Sequence, residues 1–296
     1  MRTDIEFTSA GATCRGWLYR PEAAAGPVPA IVMSHGFSAT RHMGLAPFAE
    51  RFQAAGFAVL VFDYRCLGDS DGAPRGRIVP QEQHDDLRAA IDFVQGEPGI
   101  DPARIGLWGT SYSGGHVLFV GALDARIKAI VAQVPALAVA RSLIGFVGAE
   151  GFAGYLAAFI HDFAQRNAGH PSAQVPIVAP EGQPCVFPSP EARDWFATSA
   201  PGAEAGWVNH TTLESLARMA EYTPAAFIDL AAKPLLMLAA EHDGIIPLTQ
   251  VHEVFARAQG PKELEVYPCG HFGLYPGRPF HEAAAERAAA WFRRYL

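Results

Sequence analysis

The run Ile105-Gly106-Leu107-Trp108-Gly109-Thr110-Ser111-Tyr112-Ser113-Gly114-Gly115 constrains the fold more than any other stretch of the chain. A short apolar strand ends at a glycine, turns over one serine and enters a helix that begins with small residues. Such a turn tolerates little side chain two positions before the serine and again just after it. Gly109 meets the first need. Ser113, Gly114 and Gly115 meet the second and let the new helix pack close to the strand. The turn lifts the Ser111 hydroxyl clear of the sheet, within reach of a base and a substrate. A rival register makes Ser113 the exposed serine, but that residue falls inside the helix and points back at the sheet. Ser111 is therefore the expected nucleophile.

Two later segments suit the same chemistry. Pro234–Gly244 reads as an apolar strand running into an acidic loop, with Asp243 just past the strand and Glu241 as its local rival. Glu263–Gly273 reads as another strand, followed by His271 between glycines. The order Ser111, Asp243, His271 sets nucleophile, acid and base beyond the C-terminal ends of predicted strands, where open parallel sheets gather their sites. Upstream, a strand at 30–34 runs into His35-Gly36-Phe37. The backbone N–H groups of Phe37 and of Tyr112 are the expected oxyanion-hole donors, and Gly36 lets the backbone approach a substrate. His35 is expected to brace its loop, while His252 and His281 read as helix-surface residues.

Strands are predicted at 3–8, 13–19, 28–33, 57–62, 104–108, 127–132, 235–239 and 263–267. Helices are predicted at 42–55, 81–95, 112–122, 247–258 and 280–294. This alternation predicts an α/β fold, a mostly parallel sheet covered by helices on both faces. It stops after Pro135, so 136–230 reads as an insertion between core segments 1–135 and 231–296. The insertion holds an apolar helical tract, Leu143 to Phe163, a proline-rich stretch, Pro171 to Pro190, and a segment with Trp195, Phe196 and Trp207. A helical cap over the site is expected, and its Gly/Phe composition suits a mobile lid. Phe159 and Trp195 of the insertion, with His35 and Tyr64 of the core, are the substrate-pocket candidates. A peripheral subdomain or a homodimer surface is the alternative for this segment.

From end to end the chain resembles the α/β-hydrolase superfamily. The Gly109–Gly115 elbow is similar to that of bacterial esterases and X-Pro dipeptidyl-peptidase-like hydrolases. Phe62–Gly72 resembles the loop after the fourth strand in that superfamily, and is similar to that of dienelactone-hydrolase-like enzymes and polyketide acyl hydrolases and transferases. One departure is Ser113, which stands where the Gly-x-Ser-x-Gly pattern has its second glycine. The resemblance implies a serine hydrolase that cleaves a carboxylic ester or thioester of a small to medium, largely apolar acyl substrate through an acyl-enzyme. Acyl transfer or carbon–carbon bond hydrolysis with the same triad is the alternative, and a non-catalytic ligand sensor a further one.

No cofactor or metal is expected. The spacing of Asp63, Arg65, Asp69 and Asp71 is not that of a calcium loop, and a structural network is expected there. Tyr64 or Arg65 is a further candidate for substrate contact, and Asp85-Asp86 reads as a solvated helix start. The formal charge of −7, from 23 basic and 30 acidic residues without a Lys/Arg run, argues against nucleic acid as a partner. No apolar stretch is expected to reach membrane-spanning length, so no membrane partner is expected. Met1–Glu6 lacks the apolar segment of a secretory signal. The four cysteines, Cys14, Cys66, Cys185 and Cys269, have no metal-ligand or redox spacing. A cytoplasmic protein with a small-molecule acyl substrate is the expectation.

Overall fold

The computed structural model describes residues 1–22, 26–200, 206–230 and 232–296. Positions 201–205 of the expected insertion, and 231 at its expected boundary, lie outside the described residues. Strands β1 (Arg2–Ser9) and β2 (Ala12–Tyr19) form a hairpin, followed by β3 (Val28–Ser34), β4 (Ala58–Phe62), β5 (Ile100–Thr110) and β6 (Ile127–Gln133). β7 (Gln174–Pro176) and β8 (His210–Thr212) make a separate ribbon, and β9 (Leu235–Ala240) and β10 (Lys262–Tyr267) return to the main sheet. That sheet has the order β1-β2-β4-β3-β5-β6-β9-β10. β1 and β2 are antiparallel, and every pair from β4 to β10 is parallel. Every residue of β4 and β9 is buried, as a sheet covered on both faces requires. Trp108 of β5 is fully buried with its ring 4.7 Å from that of Phe48. Each such large apolar side chain contributes roughly 1.5–3 kcal/mol, which makes the sheet a firm platform for the loops at its rim.

The helices are α1 (Ala46–Ala54), α2 (Pro80–Gly96), α3 (Tyr112–Leu123), α4 (Val139–Asn167), α5 (Pro190–Ser199), α6 (Leu213–Ala220), α7 (Leu248–Arg257) and α8 (His281–Tyr295). α1 and α8 pack together on one face. α2 and α3 pack on the other, where the 3₁₀ segment Pro224–Leu230 links α3 to α7. The expected two-sided α/β sheet is therefore present. Its two edges carry charge. Arg2, Asp4 and Glu6 are exposed along β1, and Glu263 and Glu265 of β10 pair with Arg287 and Arg294.

Four local differences have physical causes. α1 starts at Ala46, not 42, because the preceding turn is committed elsewhere. The Arg41 N–H donates to Asp63 Oδ1 at 2.6 Å, and Pro47 sets the first helical turn. β5 starts at Ile100, which pairs with Val28 across a bulge. Two residues read as solvated are buried: His281 lies edge-on to Phe48 at 4.5 Å, and Asp86 pairs with Arg65 at 2.6 Å. The expectation about membrane length is also corrected. By length and composition α4 is apolar enough to cross a membrane, with mean hydropathy 1.7 in its most apolar window, 6% of it buried. Only Glu150 carries a charge between Arg141 and Asp162. α4 is broken at Gly148, whose φ of 73° and ψ of 172° are not helical.

Candidate active site

Ser111 joins β5 to α3 at φ 55° and ψ −117°, outside the helical and extended regions. A non-glycine residue there costs about 1–3 kcal/mol, and its surroundings hold it. Its N–H donates to the Gln133 carbonyl at 2.8 Å, and its carbonyl accepts from Gly114 and Ala136 at 2.9 Å each. The small residues stand where the turn needs them. A Cβ on Gly109 would collide with the Ser113 carbonyl, and one on Gly114 would lie 2.7 Å from Pro135 Cα. Ser113 is fully buried; its hydroxyl donates to the His35 carbonyl and lies 3.0 Å from the Tyr64 hydroxyl.

His271 opens a short 3₁₀ turn, His271–Leu274, just after β10. Its Nε2 is 3.0 Å from Ser111 Oγ, and its Nδ1 is 2.8 Å from Asp243 Oδ2. The other Asp243 oxygen accepts the N–H groups of Ile245 at 2.7 Å and Ile246 at 2.8 Å. The carboxylate therefore takes the Nδ1–H, and Nε2 is left to accept the Ser111 hydroxyl proton. The His271 and Asp243 side chains are 1% and 2% exposed. Glu241 is exposed and makes no hydrogen bond to His271. Among the described residues, no hydrogen bond takes up the N–H of Phe37 or Tyr112, and their rings meet edge-to-face at 5.3 Å.

A cavity of about 360 Å³ opens from Ser111, walled by Phe37, Leu137, Leu143, Phe146 and Met219 among others. Ser142 is a polar point in this wall, and its Oγ accepts from Gln250 Nε2 at 3.1 Å. A narrow space of about 20 Å³ lies beside His271, bordered by Trp195, Phe196 and Tyr275.

The pocket candidates need correction. Phe159 is buried beside Tyr155 and is not on the cavity wall; α4 presents Phe146, Val147 and Tyr155 there. Tyr64 is buried beneath the elbow, and Arg65 is held by Asp86. Trp195 borders the narrow space, where it stacks on Phe272 at 4.9 Å and meets Tyr275 edge-on at 5.2 Å. His35 borders the same space, with Nδ1 3.0 Å from the Gly36 carbonyl. Its burial lowers its pKa, which leaves it a neutral brace. Asp63 accepts from Arg41 and from the Asp69 N–H at 3.1 Å, a structural network as expected. Sequence reasoning missed Tyr275, four residues after His271 and just past the same turn. Its hydroxyl accepts from Thr110 Oγ1 at 2.8 Å, and burial raises its pKa. Cys269 is pushed up to about 11 by burial, so it is a thiol and not a thiolate. Among the described residues, no three His, Cys, Asp or Glu side chains gather as a metal site requires.

Residues 15–273 match the X-Pro dipeptidyl-peptidase (S15) family, a span that includes the elbow, Asp243 and His271. The chain belongs to this family. It is similar to the quorum-quenching protein AidA of Acinetobacter baumannii (strain MDR-ZJ06), with 32% identity over 96% of this chain and 92% of that protein. It is also similar to the thiohydrolase aneE of Aspergillus aculeatus (strain ATCC 16872 / CBS 172.66 / WB 5094), with 33% identity over 94% and 89%. The crystal structure of the α/β-hydrolase GrgF from Penicillium sp. sh18 matches with a TM-score of 0.84 and 26% identity over 100% of this chain and 99% of that one. The S15-family chain thus has the α/β-hydrolase fold, and its relatives support a hydrolase.

Proposed function

We propose that this S15-family hydrolase cleaves a carboxylic ester or thioester of a small to medium, largely apolar acyl group through an acyl-enzyme on Ser111. One observation carries the reading: the Ser111 hydroxyl that lies 3.0 Å from His271 Nε2 also opens on the apolar cavity of about 360 Å³. Ser111 Oγ attacks the carbonyl carbon as its proton passes to Nε2, and Asp243 stabilises the imidazolium. The Phe37 and Tyr112 N–H groups receive the developing oxyanion, each worth roughly 3–4 kcal/mol of barrier in such sites. The tetrahedral adduct collapses, and the departing alcohol or thiol takes the proton from His271. Water then repeats the sequence and frees the acid.

The acyl chain lies in the cavity, under a cap built by the insertion. Among the described residues, no Asp or Glu side chain lines that cavity. The ammonium group of a dipeptidyl substrate would meet no carboxylate there, which favours an acyl ester over a peptide. The name of the thiohydrolase relative supports the thioester arm. Acyl transfer uses the same intermediate and differs only in the acceptor.

The test is a series of p-nitrophenyl esters and acyl thioesters of increasing chain length, with fluorophosphonate labelling read by mass spectrometry. Wild type is expected to turn over and to carry the label on Ser111. Ser111→Ala is expected to lose at least about a thousandfold in turnover. A label on Ser113, or turnover retained in Ser111→Ala, overturns the proposal.

A further inference from the structure

The turn that carries His271 does not satisfy its own backbone. Its Gly273 N–H donates to the Gly270 carbonyl at 3.0 Å, while the Phe272 N–H finds no backbone acceptor. Opening N–H groups of a helical turn usually find a capping side chain just ahead. Here that position is Gly270, which has none. The acceptor comes instead from a segment some eighty residues away. Glu191, in the first turn of α5, sets Oε1 3.0 Å from the Phe272 nitrogen. The same carboxylate fills the space beside Gly270, where an added Cβ would stand 2.5 Å from Oε1 and 2.7 Å from Oε2. A side chain at 270 and the Glu191 contact exclude one another.

Two more contacts tie α5 to this turn and to the segment that follows it. Trp195 stacks on Phe272 at 4.9 Å with 20° between the rings, and Asp194 pairs with Arg278. α5 is itself anchored. Ser189 accepts from the Ala192 N–H at 3.2 Å and Pro190 follows it, so the backbone that carries Glu191 is set.

We propose that Glu191 is a positioning residue: by bonding the Phe272 N–H from the insertion, it sets the His271 imidazole against Ser111. The proposal rests on the acyl-enzyme reading above. The bond joins an N–H to a carboxylate, the stronger kind. It grips the residue directly after His271, while the carboxylate abuts the residue directly before it. A hydrogen bond of 3.0 Å between Nε2 and Oγ leaves little room for drift, and a shift of about 1 Å costs up to about a hundredfold in rate. The insertion is therefore not free to swing as one lid; α5 clamps the base while α4 and α6 wall the acyl cavity.

The test compares Glu191→Ala, Glu191→Gln and Gly270→Ala with wild type. Glu191→Ala is expected to lose about tenfold or more in kcat while KM stays within about twofold, because Glu191 does not line the cavity. Glu191→Gln keeps an oxygen for the Phe272 N–H and is expected to recover most of kcat. Gly270→Ala displaces the carboxylate and is expected to copy Glu191→Ala. Fluorophosphonate labelling rates are expected to follow kcat. A readout independent of turnover is the ring Nδ1–H proton of His271, whose NMR signal is expected to survive in Glu191→Gln and to broaden in Glu191→Ala. Thermal unfolding of each variant separates misplacement from misfolding. Wild-type kcat and an unchanged ring-proton signal in Glu191→Ala overturn the proposal, as does a Gln variant as impaired as the Ala variant. If wild type itself takes no label at Ser111, the acyl-enzyme reading fails, and the ring-proton signal still decides the role of Glu191.

Discussion

Asp243 bonds through both oxygens, and that determines what an amide would do in its place. In Asp243→Asn the amide oxygen is held by the Ile245 and Ile246 N–H groups, which turns the NH₂ toward His271 Nδ1. The ring must then accept at Nδ1 and carry its proton on Nε2, so Ser111 loses its base. Turnover is expected to fall about ten-thousandfold with the fold intact, read as kcat beside the unfolding midpoint. Glu241→Gln, at an exposed position, is expected to stay within about twofold of wild type. At this scale the sequence was legible wherever the chemistry was local. Gly109 and Gly114 announce the close packing of the elbow within a few positions of Ser111. Glu191 was illegible because its partner, the Phe272 N–H, is distant in the chain and leaves no mark on the residues around it. Tyr64 misled because its neighbours look like a site loop, yet the sheet buries it under Ser113.

Among the elements, α4 is the one whose existence was plain and whose orientation was not. Its apolar tract predicts a helix, but the break at Gly148 changes the face presented beyond it. Phe146 and Val147, before the break, and Tyr155, beyond it, line the cavity, while Phe159 packs beside Tyr155 off the wall. A larger residue on the true wall is expected to exclude long acyl chains. Met219→Trp on α6 is expected to lower the octanoyl-to-acetyl ratio of kcat/KM at least about tenfold, since each unburied methylene forfeits about 0.8 kcal/mol. Phe159→Ala is expected to leave that ratio within about twofold. Equal effects from the two variants contradict this wall. Strand and helix limits were otherwise close to expectation, because buried parallel strands are runs of Val, Ile, Leu and Ala that few other settings tolerate.

The whole molecule carries histidines that resist protonation. His116 Nε2–H donates to Gln83 Oε1 at 2.9 Å, so its Nδ1 accepts the Tyr222 hydroxyl at 2.7 Å. His84 Nε2–H in turn donates to the Tyr222 oxygen at 3.1 Å. This chain ties α2 and α3 to the segment leaving α6. Burial pushes His84 down to about 3, pushes His116 well below its usual value, and lowers His35 and His281. The unfolded chain takes up these protons near pH 6.5, while the folded one does so only at lower pH. The contribution of His84 is therefore full above about pH 6.5 and falls as pH drops toward 3, by up to about 1.4 kcal/mol per unit, and His116, His35 and His281 add losses of the same sign. The urea midpoint is expected to be lower at about pH 5 than at about pH 7.5, and equal midpoints would contradict this account. The charged rims of the sheet have a different consequence. Arg2, Asp4 and Glu6 on one side, and the carboxylates gripped by Arg287 and Arg294 on the other, deny an incoming polypeptide a bare ladder to join. Fibre-like growth is disfavoured at both flanks. Among the described residues, the large apolar side chain most open to a companion molecule is Ile160 of α4.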